Sequence, residues 1–130
     1  MTEMTKQRPK FLNLFAIKLP LPGFASILHR VSGAGLFLML PLLIWLLQLS
    51  LGSQESFDTL KAVVANPLVK LILLGLLWAF LHHFCMGIRI LLIDVHVGVD
   101  KQPARTSAKV VLVVSLLLTA ILGLKLWGAY

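Results

Sequence analysis

A run of 21 residues without a charged side chain, from Val31 to Leu51, limits what this chain can fold into more than any other feature. A helix of that length rises about 30 Å, the thickness of the hydrocarbon core of a bilayer. Two further apolar blocks follow, at about residues 67–94 and 109–130. Their length and the absence of a two-residue alternation disfavour transmembrane strands. The sequence therefore predicts an all-α integral membrane protein with three transmembrane helices, the first covering about residues 24–51.

The composition supports the same class. Hydrophobic residues make up 58% of the 130 residues and charged residues only 13%, whereas roughly a quarter of a typical soluble domain is charged. The net charge of +7 comes from basic residues beside the apolar blocks and not from a basic face interleaved with aromatics, which argues against nucleic-acid binding. We expect a cytoplasmic arm at residues 1–23 and one membrane domain at 24–130. The single cysteine, Cys85, excludes a disulfide within the chain.

Residues typical of helix boundaries flank the first two blocks. Residues 19–24 read LPLPGF and precede a block that is too long for a signal-peptide core, so it should remain in the mature protein. Asn66 and Pro67 form a typical helix start, with the amide side chain as N-cap and proline at the first helical position. Pro41 lies inside the first block and is expected to kink it, because proline lacks an N–H group.

The distribution of Lys and Arg predicts the orientation, because cytoplasmic connections are enriched in these residues. The N-terminal arm carries Lys6, Arg8, Lys10 and Lys18, and the connection after the second block carries Arg89, Lys101, Arg105 and Lys109. The connection between the first two blocks carries Lys61, and Lys70 lies at the entry to the second block. We therefore expect a cytoplasmic N-terminus and a periplasmic C-terminus, where Trp127 and Tyr130 would join an aromatic belt and Lys125 would reach the headgroups.

Ionisable side chains at membrane depth are costly and need partners, so three polar clusters stand out. The first is Ser26, His29 and Arg30, which share one helix face with Gly33 one turn further on. The guanidinium of Arg30 suits a carboxylate, a phosphate or a carbonyl oxygen. Taken alone, Arg30 is more simply interpreted as a side chain that snorkels to the cytoplasmic headgroups.

The second cluster lies in the sequence LHHFCMGIR, residues 81–89. His83 is 13 residues after Lys70 and 11 before Asp94, near mid-membrane at roughly 16–20 Å from either end. A neutral imidazole there can ligate haem iron, and Gly87 at i+4 leaves room for a flat macrocycle. The alternative is a histidine hydrogen-bonded to a neighbouring helix.

The adjacent His82 and the third cluster complete the set. His82 points about 100° away from His83 around the helix, so at most one of them can be an axial ligand of a single haem. The third cluster is Arg89 with Asp94 at the cytoplasmic end of the second block, where the plain interpretation is a solvated boundary with weak ion pairing.

The first two blocks run antiparallel, so their polar clusters share the cytoplasmic half of the membrane. A haem held by His83 would need cations nearer the headgroups for its propionates, and His29, Arg30 and Arg89 lie in that position. One axial ligand is missing from the chain, and a second helical subunit would supply it.

Four stretches make the chain resemble a known family. They are RPKFLNL at residues 8–14, SILHRVSG at 26–33, H-x-x-x-G-I-R at 83–89 followed by Asp94, and RTSAKV at 105–110. Over nearly the whole chain they resemble the cytochrome b subunit of bacterial succinate dehydrogenase, the larger membrane anchor of respiratory complex II. The resemblance implies a non-catalytic anchor in a heteromeric helix bundle of the bacterial inner membrane.

The resemblance also implies roles for single residues. By matching position, His83 would be the axial ligand of haem b, and Ser26 and Arg30 would contribute to a ubiquinone site. His29 and Arg30 would contact the haem propionates. A smaller anchor subunit would supply the second axial histidine, and electrons would arrive from succinate through a flavoprotein and an iron–sulfur subunit.

Two positions depart from the family pattern. Ile90 stands where relatives often carry a histidine, and His82 leaves the ligand open by one residue. The spacing to Gly87 and Arg89 favours His83. Two alternatives stay open: a cofactor-free structural membrane subunit whose histidines only pack helices, and the cytochrome b anchor of a fumarate reductase or another quinone oxidoreductase.

Overall fold

The computed structural model describes residues 16–128, which form five α-helices with no strand among them. The helices are α1 (Leu21–Leu38), α2 (Leu40–Leu51), α3 (Gln54–Ala65), α4 (Pro67–Asp94) and α5 (Lys101–Leu126). The all-α prediction is confirmed for this part of the chain. Most of the N-terminal arm, including Lys6, Arg8, Lys10 and the RPKFLNL stretch, lies outside the described residues, as does Tyr130.

Helices α4 and α5 are each long and apolar enough to cross a membrane. Helices α1 and α2 meet the same criterion only as a pair, since they are bent by 51° at the break between them. The chain thus has two clear spans, or three if the bent pair counts as one. The predicted second span coincides with α4. Helix α5 begins at Lys101, ahead of the predicted third span at about Lys109, because the polar residues before the apolar block are already helical.

The bend in the first apolar block lies at the predicted proline. Helix α1 ends at Leu38, and Pro41 occupies the second position of α2. Its missing N–H and its ring interrupt the helix over the preceding turn. The N–H of Met39 bonds to the carbonyls of Gly35 and Phe37 and closes the end of α1. The predicted kink is confirmed.

A short helix, α3, lies between α2 and α4, where the sequence indicated only a connection. Its start is capped by Ser53, whose hydroxyl accepts from the N–H of Ser56 at 3.2 Å. The hydroxyl of Ser56 donates to the carbonyl of Leu49 at 3.0 Å and ties α3 to α2. On the exposed face, a hydrogen bond from Lys61 and its charge hold the pKa of Asp58 below its ordinary value.

The start of α4 has the predicted cap. The side chain of Asn66 accepts from the N–H of Leu68 at 2.9 Å, and Pro67 holds the first helical position. From there 28 residues run as one helix to Asp94. This unbroken helix carries both histidines and Arg89 past α1 and α5.

Helix α4 lies against both α1 and α5. Helix α5 contributes a stripe of mostly small buried residues: Ala108, Val111, Ser115, Thr119 and Gly123. Small residues let membrane helices approach closely, and a Cβ atom on Gly123 would come within 2.6 Å of Cδ1 of Leu74. The outward faces expose many large apolar side chains, which suits lipid or another apolar protein surface and not water.

Candidate functional site

Two imidazole rings from different helices meet where α1 contacts α4. The rings of His29 and His83 stack with their centroids 4.1 Å apart and their planes 9° from parallel. Both side chains are half-buried, so the pair is open to the surface of the chain. The sequence placed the two residues in the same half of the membrane, and the structure brings them into direct contact.

The backbone of α1 orients His83. Its Nδ1 lies 3.0 Å from the carbonyl oxygen of His29, which can only accept, so Nδ1 carries a proton. Ser32 Oγ lies 3.4 Å from the same nitrogen and donates its own proton to that carbonyl at 2.9 Å. In the neutral ring Nε2 then keeps a free lone pair, and it bonds to no group within residues 16–128. An imidazole held through Nδ1 in this way is the form that ligates metals.

Two glycines lie beside the ring pair. A Cβ atom on Gly33 would come within 2.8 Å of Cε1 of His83, closer than real Cβ contacts. A Cβ atom on Gly87 would meet Nε2 of His29 at 3.9 Å, an ordinary contact. Gly33 is therefore the residue that lets α1 approach His83, while Gly87 keeps the adjoining surface of α4 free of a side chain.

This donor set fits a haem bound through one axial ligand of the chain. His83 offers one oriented, half-buried nitrogen. No group of three or more His, Cys, Asp or Glu side chains in residues 16–128 could hold a metal ion. A closed four-ligand site of the zinc type is thereby excluded for the described residues, whereas a haem needs only one protein atom on each side of its iron.

Ser26 and Arg30 lie one turn apart on α1, beside the ring pair. The hydroxyl of Ser26 donates to the carbonyl of Pro22 at 2.9 Å and is half-buried. Arg30 is exposed, and no hydrogen bond or ion pair holds its guanidinium among residues 16–128. The Ser26 hydroxyl can rotate toward a ligand, and the Arg30 guanidinium is free to move toward one. Both groups can therefore donate to an oxygen acceptor outside the chain.

His82 points into the chain instead. It is 0% exposed, its Nε2 lies 3.4 Å from the carbonyl oxygen of Ala25, and its ring stacks on Trp78 at 5.3 Å. Its Nδ1 and the indole Nε1 of Trp78 are buried with no hydrogen-bond partner among the described residues. A ring enclosed in this way does not reach a cofactor outside the chain, which favours His83 over its neighbour as the ligand.

Arg89 turns away from the histidine pair and toward α5. It is 6% exposed, its Nε donates to Ser107 Oγ at 2.9 Å, and its Nη2 donates to the carbonyl of Ala104 at 3.1 Å. A solvated boundary is therefore the wrong description of Arg89, because the first turns of α5 cover it. Asp94 is exposed and forms no ion pair within residues 16–128.

Three contributors were not identified from the sequence: Ser32, Trp78 and Ser107. Each gains its role from a partner on another helix or from burial, and neither shows in local spacing. Ser32 lies within the SILHRVSG stretch, which is the one available signal for it. Ser107 lies within the RTSAKV stretch in the same way, whereas no sequence pattern marks Trp78.

Known proteins are similar to this chain over most of its length. A family model described as succinate dehydrogenase/fumarate reductase transmembrane subunit matches residues 4–122. The succinate dehydrogenase cytochrome b556 subunit of Coxiella burnetii is 36% identical over 125 residues, 95% of this chain and 100% of that protein. The subunit of the same name from Rickettsia felis is 33% identical over 121 residues, 92% of this chain and 94% of the relative. That of Paracoccus denitrificans is 30% identical over 114 residues, 88% of each.

Proposed function

Because this chain belongs to the succinate dehydrogenase/fumarate reductase transmembrane subunit family, we propose that it binds haem b through His83 and forms part of a ubiquinone-reduction site through Ser26 and Arg30. Relatives named as cytochrome b556 subunits of succinate dehydrogenase cover nearly all of it, so it is a membrane subunit of an oxidoreductase complex. Succinate oxidation itself belongs to other subunits of that complex.

The observation that carries the haem assignment is the 3.0 Å contact between Nδ1 of His83 and the carbonyl of His29. It fixes the proton on one ring nitrogen and leaves the lone pair of the other for iron. When bound, haem b supplies a centre that accepts and releases single electrons. A smaller anchor subunit supplies the second axial histidine, as the resemblance to the family implies, because haem iron takes one axial ligand on each face.

The haem propionates need cationic or N–H donors toward the cytoplasmic side. His29 lies against His83, and Arg30 follows it with a planar donor fork that no other described side chain occupies. Arg89 is not proposed for this role, because its donors go to Ser107 and the carbonyl of Ala104.

The quinone assignment follows from the charge that develops on the substrate. A quinone carbonyl gains negative charge as it is reduced, so donors already aimed at that oxygen lower the barrier. The hydroxyl of Ser26 leaves the Pro22 carbonyl, which keeps its bond to the N–H of Ser26 in the helix, and donates to the quinone. Arg30 stabilises the same oxygen through its charge.

The complex supplies the remaining parts. A flavoprotein and an iron–sulfur subunit bring electrons from succinate, and the smaller anchor completes the haem and quinone sites. The N-terminus lies in the cytoplasm and the C-terminus in the periplasm, because the segments rich in Lys and Arg face the cytoplasm.

We expect Ser26→Ala to lower kcat/KM for ubiquinone reduction in the purified complex by about three- to tenfold, the worth of one hydrogen bond. Arg30→Leu should lower it by more than about tenfold, because a hydrogen bond from a charged group is lost. Both variants should oxidise succinate with an artificial electron acceptor at the normal rate.

Ser50→Ala is the matched control for the serine variant. Ser50 Oγ also donates to a carbonyl of its own helix, that of Leu47 at 2.6 Å, but it lies on α2. Arg30→Lys keeps the positive charge but removes the planar guanidinium, so it separates the effect of the charge from that of the donor geometry. Normal ubiquinone kinetics in assembled Ser26→Ala and Arg30→Leu complexes would contradict the quinone assignment.

Reporter fusions test the orientation. Alkaline phosphatase fused after Tyr130 should be active, because that enzyme requires the oxidising periplasm. The same reporter fused within the connection between α4 and α5, after Gly98, should be inactive. The reverse pattern would show that the distribution of Lys and Arg does not set the topology.

A further inference from the structure

Two consecutive histidines of α4 attach to the backbone of α1 one helical turn apart. His83 bonds to the carbonyl of His29, and Nε2 of His82 lies 3.4 Å from the carbonyl of Ala25. The two carbonyls lie four residues apart on the same face of α1, about 6 Å along its axis. One attachment would let α1 pivot or slide on α4, whereas two at this spacing restrict both movements.

The attached residues directly precede the two residues of the proposed quinone site. Ser26 follows Ala25, and Arg30 follows His29. A shift or rotation of α1 at Ala25 would carry the hydroxyl of Ser26 with it. The contact of His83 holds α1 at His29, next to Arg30. It is therefore the contact of His82 that holds α1 at Ala25, next to Ser26.

The side chain of His82 is enclosed within the chain and makes no contact outside it. It and Ala25 are both 0% exposed, and the ring lies on Trp78. A carbonyl oxygen can only accept, so Nε2 of His82 carries the proton. Nδ1 of His82 is buried without a hydrogen-bond partner among the described residues, so the Ala25 carbonyl is the only polar contact of the ring there.

We propose that His82 is a positioning residue for quinone reduction: through the Ala25 carbonyl it holds Ser26 at a fixed place on α4 without touching the quinone. This inference rests on the quinone site proposed above. It assigns His82 a role different from that of its neighbour His83, although the two adjoin in sequence.

Substitutions of graded reach test the inference in the purified complex. Glutamine can place an amide nitrogen where Nε2 lies, whereas the shorter asparagine reaches only the position of Nδ1, and phenylalanine fills the space without a donor. We expect His82→Phe and His82→Asn to raise KM for a short-chain ubiquinone by about three- to tenfold. His82→Gln should return KM to within about twofold of the wild-type value. The reduced haem band should stay intact in all three.

A double-mutant cycle shows whether His82 acts through Ser26. In a Ser26→Ala background, His82→Phe should raise KM no further, because the hydroxyl it positions is gone. If His82→Phe does not assemble, the comparison of glutamine with asparagine carries the same test.

The inference is overturned if glutamine and asparagine at position 82 behave alike, if the effects of Ser26→Ala and His82→Phe simply multiply, or if the His82 variants lose the haem band. The proposed quinone site itself is tested separately, by the Ser26→Ala variant. A Ser26→Ala variant with normal kcat/KM refutes that site itself, whereas an impaired Ser26→Ala beside a normal His82→Phe refutes only the positioning role.

Discussion

Replacing His83 with alanine is expected to reduce the reduced-minus-oxidised b-type absorption band of the purified complex to below about a tenth of its wild-type intensity. Nε2 of this residue has a free lone pair and no protein partner among residues 16–128, while Nδ1 is held by the carbonyl of His29. Alanine removes the nitrogen that would bind iron and leaves the helix backbone unchanged. The measurement is an optical difference spectrum normalised to the flavin content of the complex.

Two control variants make this result specific. His96 is exposed in the connection between α4 and α5, so His96→Ala should leave the band intact. His82→Gln should also retain it, because His82 is enclosed within the chain. A band that survives in His83→Ala but disappears in His82→Gln would move the ligand by one residue. A wild-type complex without any b-type band would favour the cofactor-free structural subunit.

Gly33→Ala is the second change from which we expect a large effect. The added Cβ atom would come within 2.8 Å of Cε1 of His83, so the imidazole must move. The obstructed atom is at the end of a side chain, and the ring can shift without unfolding the protein. We therefore expect haem content to fall by at least about twofold, with a loss of no more than about 1–3 kcal/mol in the free energy of unfolding, as for overpacking.

Gly35 provides a matched control two residues further along α1. No atom lies within 4 Å of a Cβ built there, so Gly35→Ala should bind haem normally. It should also gain up to about 1 kcal/mol in stability from the better helix propensity of alanine. Haem binding is compared by difference spectra and stability by thermal denaturation of the complex. Equal haem contents in the two variants would show that the contact between Gly33 and His83 does not matter for the cofactor.

Local chemistry made several elements predictable from the sequence. Asn66 and Pro67 start α4 as expected, because an N-cap and a first-turn proline act within a few residues. Pro41 bends the first apolar block between α1 and α2 for an equally local reason, its missing N–H. The start of α5 at Lys101 could not be predicted in this way, since hydropathy marks where a helix enters lipid and not where its hydrogen bonds begin.

Membrane residence, family membership and the candidate residues on α1 and α4 were determined by the sequence alone, because charge-free length and short motifs are written along the chain. Which histidine faces outward was decided only by the tertiary structure. His82 and His83 differ by about 100° around α4, and the positions of α1 and α5 determine which one is enclosed. The same packing turned Arg89 from an expected boundary residue into a buried link to Ser107. A periodic pattern shows which residues share a face, but only a neighbouring helix determines what that face meets.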